Sequence, residues 1–182
     1  IKLINSFENV KLINTVFSYT EESNKIKIPE FILNKGDKIS IIGESGQGKT
    51  TTMNILAGLY PLENGKLLID NKQIKDARLD LVFVSQEVEL FDLSIRDNLC
   101  LGKIIPDSKI LELLEEAGLL NWYKELPEGL DTMVGERGVK LSAGQKQRLN
   151  LIRGILIDKE LYFFDEPTSN LDVISEEKII NM

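Results

Sequence analysis

The sequence predicts an α/β fold, a strand-rich core interrupted by a helical insertion, and three observations carry that expectation. A short apolar strand, Ile39–Ile42, runs straight into a glycine-rich loop and then a helix, Lys49–Ala57, closed by Gly58. Two unbroken apolar runs, Leu81-Val82-Phe83-Val84 and Leu161-Tyr162-Phe163-Phe164, read as strands buried on both faces. Between them the pattern turns helical from about Ser94, so that a helical insertion of residues ~90–140 interrupts the core.

The elements follow in order. In residues 1–38, Val10–Ile13 and Val16–Tyr19 are β-rich, and Ile26–Ile28 alternates before Pro29. Asn34-Lys35-Gly36-Asp37 turns the chain into the loop strand. Beyond Gly58, Leu59-Tyr60-Pro61 and Glu63-Asn64-Gly65 mark turns, and Lys66–Ile69 is a strand closed by Asp70-Asn71. Leu79–Ser85 is the next strand. Ser94 is an N-cap with Asp97 in the first turn. Asp107 or Ser108 starts a helix with Ile110, Leu113, Leu114 and Ala117 on one face and Gly118 as its stop. Pro127, Gly129, Gly135 and Gly138 break the segment that follows. Ser142 caps a helix running to about Ile157. No internal repeat or low-complexity linker is present.

A chain of 182 residues with 42% apolar content is expected to be one globular domain with a real core. The net charge of −7 argues against a nucleic-acid partner, which requires basic patches. No apolar run approaches the ~20 residues needed to span a bilayer, so these residues are expected to be soluble. The chain begins at Ile1 without a signal-peptide pattern or a methionine, as expected of a piece of something longer. The single cysteine, Cys100, fits a reducing compartment and, within Asn-Leu-Cys-Leu, an inert buried thiol. Histidine is absent, which removes His-activated nucleophiles and most zinc chemistry, so a general base must be a carboxylate, a lysine or a tyrosine.

Gly43-Glu44-Ser45-Gly46-Gln47-Gly48-Lys49-Thr50 fits G-x-x-x-x-G-K-[ST], the phosphate-binding loop, with a strand before and a helix after. Glycines let successive N–H groups point at phosphate oxygens, and the helix N-terminus adds its dipole. Lys49 can reach the β- and γ-phosphates, and the Thr50 hydroxyl can ligate Mg²⁺. The other reading is an ordinary glycine turn before a helix. Leu161–Glu166 delivers two carboxylates to a strand end, where open α/β sheets bind ligands. Asp165 suits Mg²⁺, and Glu166 can orient or deprotonate a water. The alternative there is an acidic surface turn before Pro167. Leu141-Ser142-Ala143-Gly144-Gln145 opens a helix and makes a second anion site, although alone it is also a common helix start.

In this order, residues 17–174 resemble the nucleotide-binding domain of ATP-binding-cassette (ABC) transporters. Gly43–Thr50 matches the family's Walker A, Gln86 its Q-loop, Leu141–Gln145 its LSGGQ signature, Leu161–Glu166 its Walker B and Ser169-Asn170-Leu171-Asp172 its D-loop. Tyr19 stands where the family stacks an aromatic on adenine. The resemblance implies a P-loop NTPase core of ABC type, with an N-terminal antiparallel β subdomain. Residues 1–89 and 158–182 would form the core, and residues 90–157 the helical subdomain with the signature helix. It implies ATP and Mg²⁺ as ligands, bound by Tyr19, by Gly43 to Thr51, and by Thr50, Gln86 and Asp165 at the metal. Glu166, Gln86 and Lys49 would be catalytic. It also implies a head-to-tail dimer, with the same or a related chain, in which Ser142, Gly144 and Gln145 complete the partner's ATP site. Tyr19 can alternatively be an ordinary strand aromatic, and Gln86 can simply satisfy backbone groups at a strand end.

Asp131–Gly138 and Leu90–Leu99 look like segments of exporters in this family, which implies contact with a membrane domain near Gln86 and Glu136. The domain would then sit at the cytoplasmic face of the cell membrane. The bland reading of Asp131–Gly138 is a solvated glycine turn with a Glu136–Arg137 pair. Ala143 replaces the usual first glycine of the signature and is expected to loosen a closed dimer, and Asn170 replaces a common alanine. The family's switch histidine belongs to a strand after the D-loop that Met182 precedes, so the C-terminal part of the domain is expected to be missing and hydrolysis weak. Two rivals remain: a soluble ABC ATPase acting on chromosomes or ribosomes, and a module that binds ATP and dimerises without efficient hydrolysis. The short run from Gln86 to Leu141 leaves no room for the long coiled-coil insertion the first would need.

Overall fold

The computed structural model describes residues 2–20, 25–44, 46–62, 64–74, 77–135, 138–169 and 176. They divide into two units, residues 1–81 and residues 82–182.

The first unit contains β1 (Lys2–Ile4), β2 (Asn9–Ile13), β3 (Thr15–Phe17), β4 (Ile26–Ile28), β5 (Phe31–Asn34), α1 (Lys49–Leu56), β6 (Lys66–Ile69), β7 (Lys72–Gln73) and β8 (Ala77–Leu79). Its largest sheet is antiparallel, in the order β5-β2-β6-β7. Register follows from period-2 alternation, which puts every apolar residue of one set on one face. Val10 lies opposite both Leu33 and Ile69, Leu12 lies opposite Leu67, and all five are buried. β3 and β4 form an antiparallel pair, and β1 and β8 a parallel one. Gly58, at φ +70, ends α1 as its position in the sequence requires, with Leu59 N donating to Asn54 O at 2.8 Å.

The β6–β7 connection is the two-residue turn Asp70-Asn71, with φ of +50 and +62. A hairpin this tight needs left-handed residues at both positions, and Asn and Asp tolerate them best among non-glycines. Asp70 Oδ1 also accepts from Glu8 N at 2.8 Å and Asn9 N at 2.9 Å. These two backbone bonds hold the Asp70 carboxyl below its usual range, with a smaller contribution from Lys72. A carboxyl depressed in the folded state contributes stability above its unfolded pKa and loses it as pH falls through the folded value. Asp70→Asn keeps the acceptor oxygen and the turn preference but loses the charge. Urea unfolding should therefore show the parent more stable at pH 7, with the gap closing below about pH 4. A gap constant with pH would remove Asp70 from the acid response.

The second unit contains β9 (Val82–Val84), α2 (Ile95–Cys100), α3 (Asp107–Glu116), α4 (Leu120–Lys124), a 3₁₀ turn at Gly129–Asp131, α5 (Ala143–Ile157) and β10 (Tyr162–Phe164). β9 and β10 are parallel, with Phe83 opposite Phe163. The helices close on Ile95, Leu99, Ile110, Leu114, Leu149 and Ile152. α3 buries the face its spacing predicts, and Gly118 stops it at φ +67. Arg148 of α5 donates to the carbonyls of Ala117 and Gly118, closing the end of α3. α5 also lies against β9: a Cβ at Gly154 would stand 3.1 Å from Val84 Cγ2. Cys100 is a buried free thiol, and burial pushes its pKa up, in keeping with an inert side chain.

Three sequence expectations are corrected. Ile39–Ile42 is in no strand among the described residues, and Ile42 is 92% exposed. β propensity does not make a strand without a ladder partner, and none is present for this run among the described residues. Leu79–Ser85 is two strands, because β8 follows β1 while β9 follows β10, with Asp80-Leu81 between. The two apolar runs are not buried on both faces: β9 alternates, with Phe83 half-buried, and Phe164 is 42% exposed. Successive side chains point to opposite faces, and in both strands one face is covered more fully than the other.

Candidate functional site

The loop Gly43–Thr50, predicted to bind phosphate, lies in the first unit, where glycine conformation shapes it. Gly46 and Gly48 have φ of +81 and +86, and a Cβ at Gly48 would stand 2.8 Å from Ile26 Cγ2. Gly48 is the N-cap of α1 and offers no side-chain acceptor. Ser94 and Ser142, in contrast, cap α2 and α5 with their hydroxyls. The first-turn N–H groups of α1 are thus left for an external acceptor, and an anion is the natural one. Lys49 Nζ donates to Gly43 O at 2.8 Å and Glu44 O at 2.9 Å, folded back over its own loop. Gln47 Oε1 accepts from Glu44 N at 3.2 Å. Gly43, Glu44, Gly46, Gln47 and Thr50 are exposed, and Ser45 lies outside the described residues. An ammonium folded over the loop, a helix without a side-chain cap and an exposed threonine hydroxyl form a set of groups suited to a Mg²⁺-bound polyphosphate.

Tyr19 belongs to the same unit and is 57% exposed. Its hydroxyl is 2.7 Å from the Oγ1 of Thr51, which is buried in the first turn of α1. Its ring meets Phe17 and Tyr60 edge-on, at centroid distances of 5.1 and 5.7 Å, while Phe17 and Tyr60 stack nearly parallel. Sequence reading missed Phe17 and Tyr60 as supports for Tyr19. The available signal was an aromatic at i and i+2 on one strand face.

In the second unit the carboxylates follow β10. Asp165 is buried, and its N–H donates to Val84 O at 2.9 Å, extending the β9 ladder. Glu166 is exposed and has φ +47. Gln86, just past β9, donates from Nε2 to Glu166 Oε2 at 2.7 Å. The two strands thus bring together the predicted glutamine and the predicted base. Gln86 engages through its nitrogen, leaving the amide oxygen as the atom suited to a hard cation. Gln147 of α5, missed in the sequence, donates to Glu166 O at 3.1 Å. Its signal was phase: Gln147 shares the buried helix face with Leu151 and Gly154.

The Ser142 hydroxyl accepts from Gln145 N at 3.2 Å, and Gln145 Oε1 accepts from Ser142 N at 2.8 Å. This capping box turns both side chains toward the backbone of α5 itself. Gly144 is half-buried, and Ala143 presents its methyl to solvent.

Residues 90–99 and 131–135 meet each other. Ser94 bridges Met133, Val134 N donates to Leu93 O, and Arg96 pairs with Asp131 at 2.9 Å and with Asp107. A further missed residue holds the first segment from α5. Arg153 donates to Asn98 O at 2.8 Å and Glu89 O at 3.2 Å, and buried Asn98 bonds Phe91 and Ser94. The sign of it was a lone arginine within an apolar helix stripe. Glu136 and the residues Asn170 to Asp172 lie outside the described residues. Among the described residues, no cluster of His, Cys, Asp or Glu is placed to hold a metal, and no helix is long and apolar enough to cross a membrane.

A family model described as ABC transporter matches residues 26–169. The chain is 36% identical over 177 residues to the mitochondrial iron-sulfur clusters transporter ATM1 of Kluyveromyces lactis, covering 94% of this chain and 25% of that protein. It is 35% identical to the ATP-dependent lipid A-core flippase of Photobacterium profundum, covering 94% and 31%. It is 37% identical to the putative multidrug export ATP-binding/permease protein YgaD of Bacillus subtilis, covering 93% and 30%. Among solved structures, a bacterial Atm1-family ABC exporter with ATP bound superposes with a TM-score of 0.86 at 31% identity, over 99% of this chain and 33% of that one. The chain thus spans between a quarter and a third of the length of these proteins.

Proposed function

The chain belongs to the ABC transporter family, and from that premise we propose that it is the ATP-binding and ATP-hydrolysing domain of an exporter. The observation that carries the reading is the uncapped N-terminus of α1 beside the Lys49 ammonium. Gly43 to Thr51 hold the triphosphate, Lys49 neutralises its β- and γ-oxygens, and the Tyr19 ring stacks on the adenine. Thr50, Asp165 and the Gln86 amide oxygen supply hard oxygen ligands for Mg²⁺, which when bound adds positive charge at the phosphates. Glu166 orients a water and takes its proton. Two chains pair head to tail, and the N-terminus of α5, with Ser142, Gly144 and Gln145, completes the partner's site. The surface near Gln86 and Glu136 meets a membrane domain at the cytoplasmic face.

Titration calorimetry with MgATP and with magnesium tripolyphosphate tests the reading. Both should bind this chain, because the loop recognises phosphate. ATP should bind more tightly, since base stacking is worth about 1–3 kcal/mol. Tyr19→Ala should remove that preference, roughly tenfold, and leave tripolyphosphate unchanged. No binding of either at millimolar concentration would overturn the proposal, and an unchanged preference would overturn the role of Tyr19.

A further inference from the structure

Glu166 sits in a conformation its own sequence disfavours. Its φ of +47 is left-handed, it carries a side chain, and it precedes Pro167, a setting that favours extended backbone. Such a residue persists only where its surroundings impose the conformation. Among the described residues two contacts meet its carbonyl: Ser169 N at 3.2 Å, from the following turn, and Gln147 Nε2 at 3.1 Å, from α5. A third meets its side chain, from Gln86 Nε2. Of the three donors, Gln147 alone is both distant in sequence and enclosed, at 1% exposure.

We propose that Gln147 is a positioning residue for the reaction. By holding the Glu166 carbonyl it fixes the left-handed turn, and the turn fixes where the carboxylate points and whether Gln86 can reach it. Gln147 follows Ser142 by five residues, about 7.5 Å along the helix axis, in a helix whose first turn is locked by a capping box. One rigid element therefore carries both the groups assigned to the partner's nucleotide and the group that sets this chain's own base. The inference rests on the functional reading of Glu166 and Gln86 given above.

Gln147→Met tests it, because methionine fills nearly the same volume without a donor. Three quantities are read: the ¹⁵N signal of the Gln86 side-chain amide, the Kd for MgATP, and kcat. The expected result is a Gln86 signal moved toward that seen in Glu166→Ala, a Kd within about twofold of the parent, and kcat lowered roughly ten- to hundredfold. An unmoved Gln86 signal with kcat within about twofold would overturn the proposal, as would a loss in Kd equal to the loss in kcat. Should Gln147→Met not fold, the parent chain decides. Its Gln147 amide protons should exchange with solvent at least about tenfold more slowly than those of exposed Gln73, and equal rates would overturn the proposal. Glu166→Gln is run in parallel. An undiminished kcat there would refute the reading of Glu166 as base, whereas an altered Gln86 signal in Gln147→Met would still stand.

Discussion

Glu166→Gln is expected to lower ATP turnover by roughly 10²–10³-fold while ATP binding is retained. The amide keeps the shape of the side chain, and its oxygen can still accept from Gln86 Nε2, which stands 2.7 Å from Glu166 Oε2 in the parent. It cannot accept a proton from water at neutral pH. If two chains close around nucleotide, removing hydrolysis removes the step that opens them, and the dimer accumulates under MgATP. Phosphate release gives the rate, and light scattering with and without MgATP gives the assembly. Turnover within tenfold of the parent would remove Glu166 from its role. A monomer at saturating ATP would count instead against the composite site, with the Ala143 methyl at the mouth of α5 the first place to look.

Lys49→Ala is expected to weaken MgATP binding by roughly ten- to a hundredfold, since hydrogen bonds to a charged partner are worth about 1.5–3 kcal/mol. Among the described residues the ammonium bonds only the carbonyls of Gly43 and Glu44. Both residues are exposed, so water replaces the lost donor and the fold should be retained. Titration with a fluorescent ATP analogue reads the affinity, and thermal unfolding checks the fold. Equal affinity for variant and parent would refute the assignment of the phosphate loop. Tripolyphosphate should be weakened by the same factor, unlike in Tyr19→Ala, because Lys49 acts on phosphates and not on the base.

Parts of the fold governed by local chemistry were readable in the sequence. Lys66–Ile69 and the Asp70-Asn71 turn follow from alternation and left-handed preference within six residues. α3 follows from its apolar spacing and the Gly118 stop, and α5 from the Ser142 cap that its position predicts. The glycine-rich loop was legible because φ values near +80 leave little choice of residue. What was not legible depends on partners far along the chain. Ile39–Ile42 has the composition of a strand and, among the described residues, no neighbour that would make it one. Tyr60 meets Tyr19 across some forty intervening residues, and Gln147 meets Glu166 from another element. No window of sequence contains both ends of such a contact. The left-handed backbone of Glu166, before a proline, contradicts local propensity altogether, which is where a functional residue is expected to be found.

The grip of Arg153 on the segment before α2 sets a timetable for synthesis. Its donors reach Asn98 across 55 residues and Glu89 across 64, and burial lowers its pKa as they do. A ribosome adding roughly 5–20 residues per second needs about 3–11 s to make the shorter of those spans. Through that interval Ile95 and Leu99 have emerged while Leu149 and Ile152, which later cover them, have not. The second unit therefore cannot be completed piecemeal from its N-terminal side. It waits for α5, and during the wait its apolar helix faces are open to chaperones, or to one another on neighbouring nascent chains.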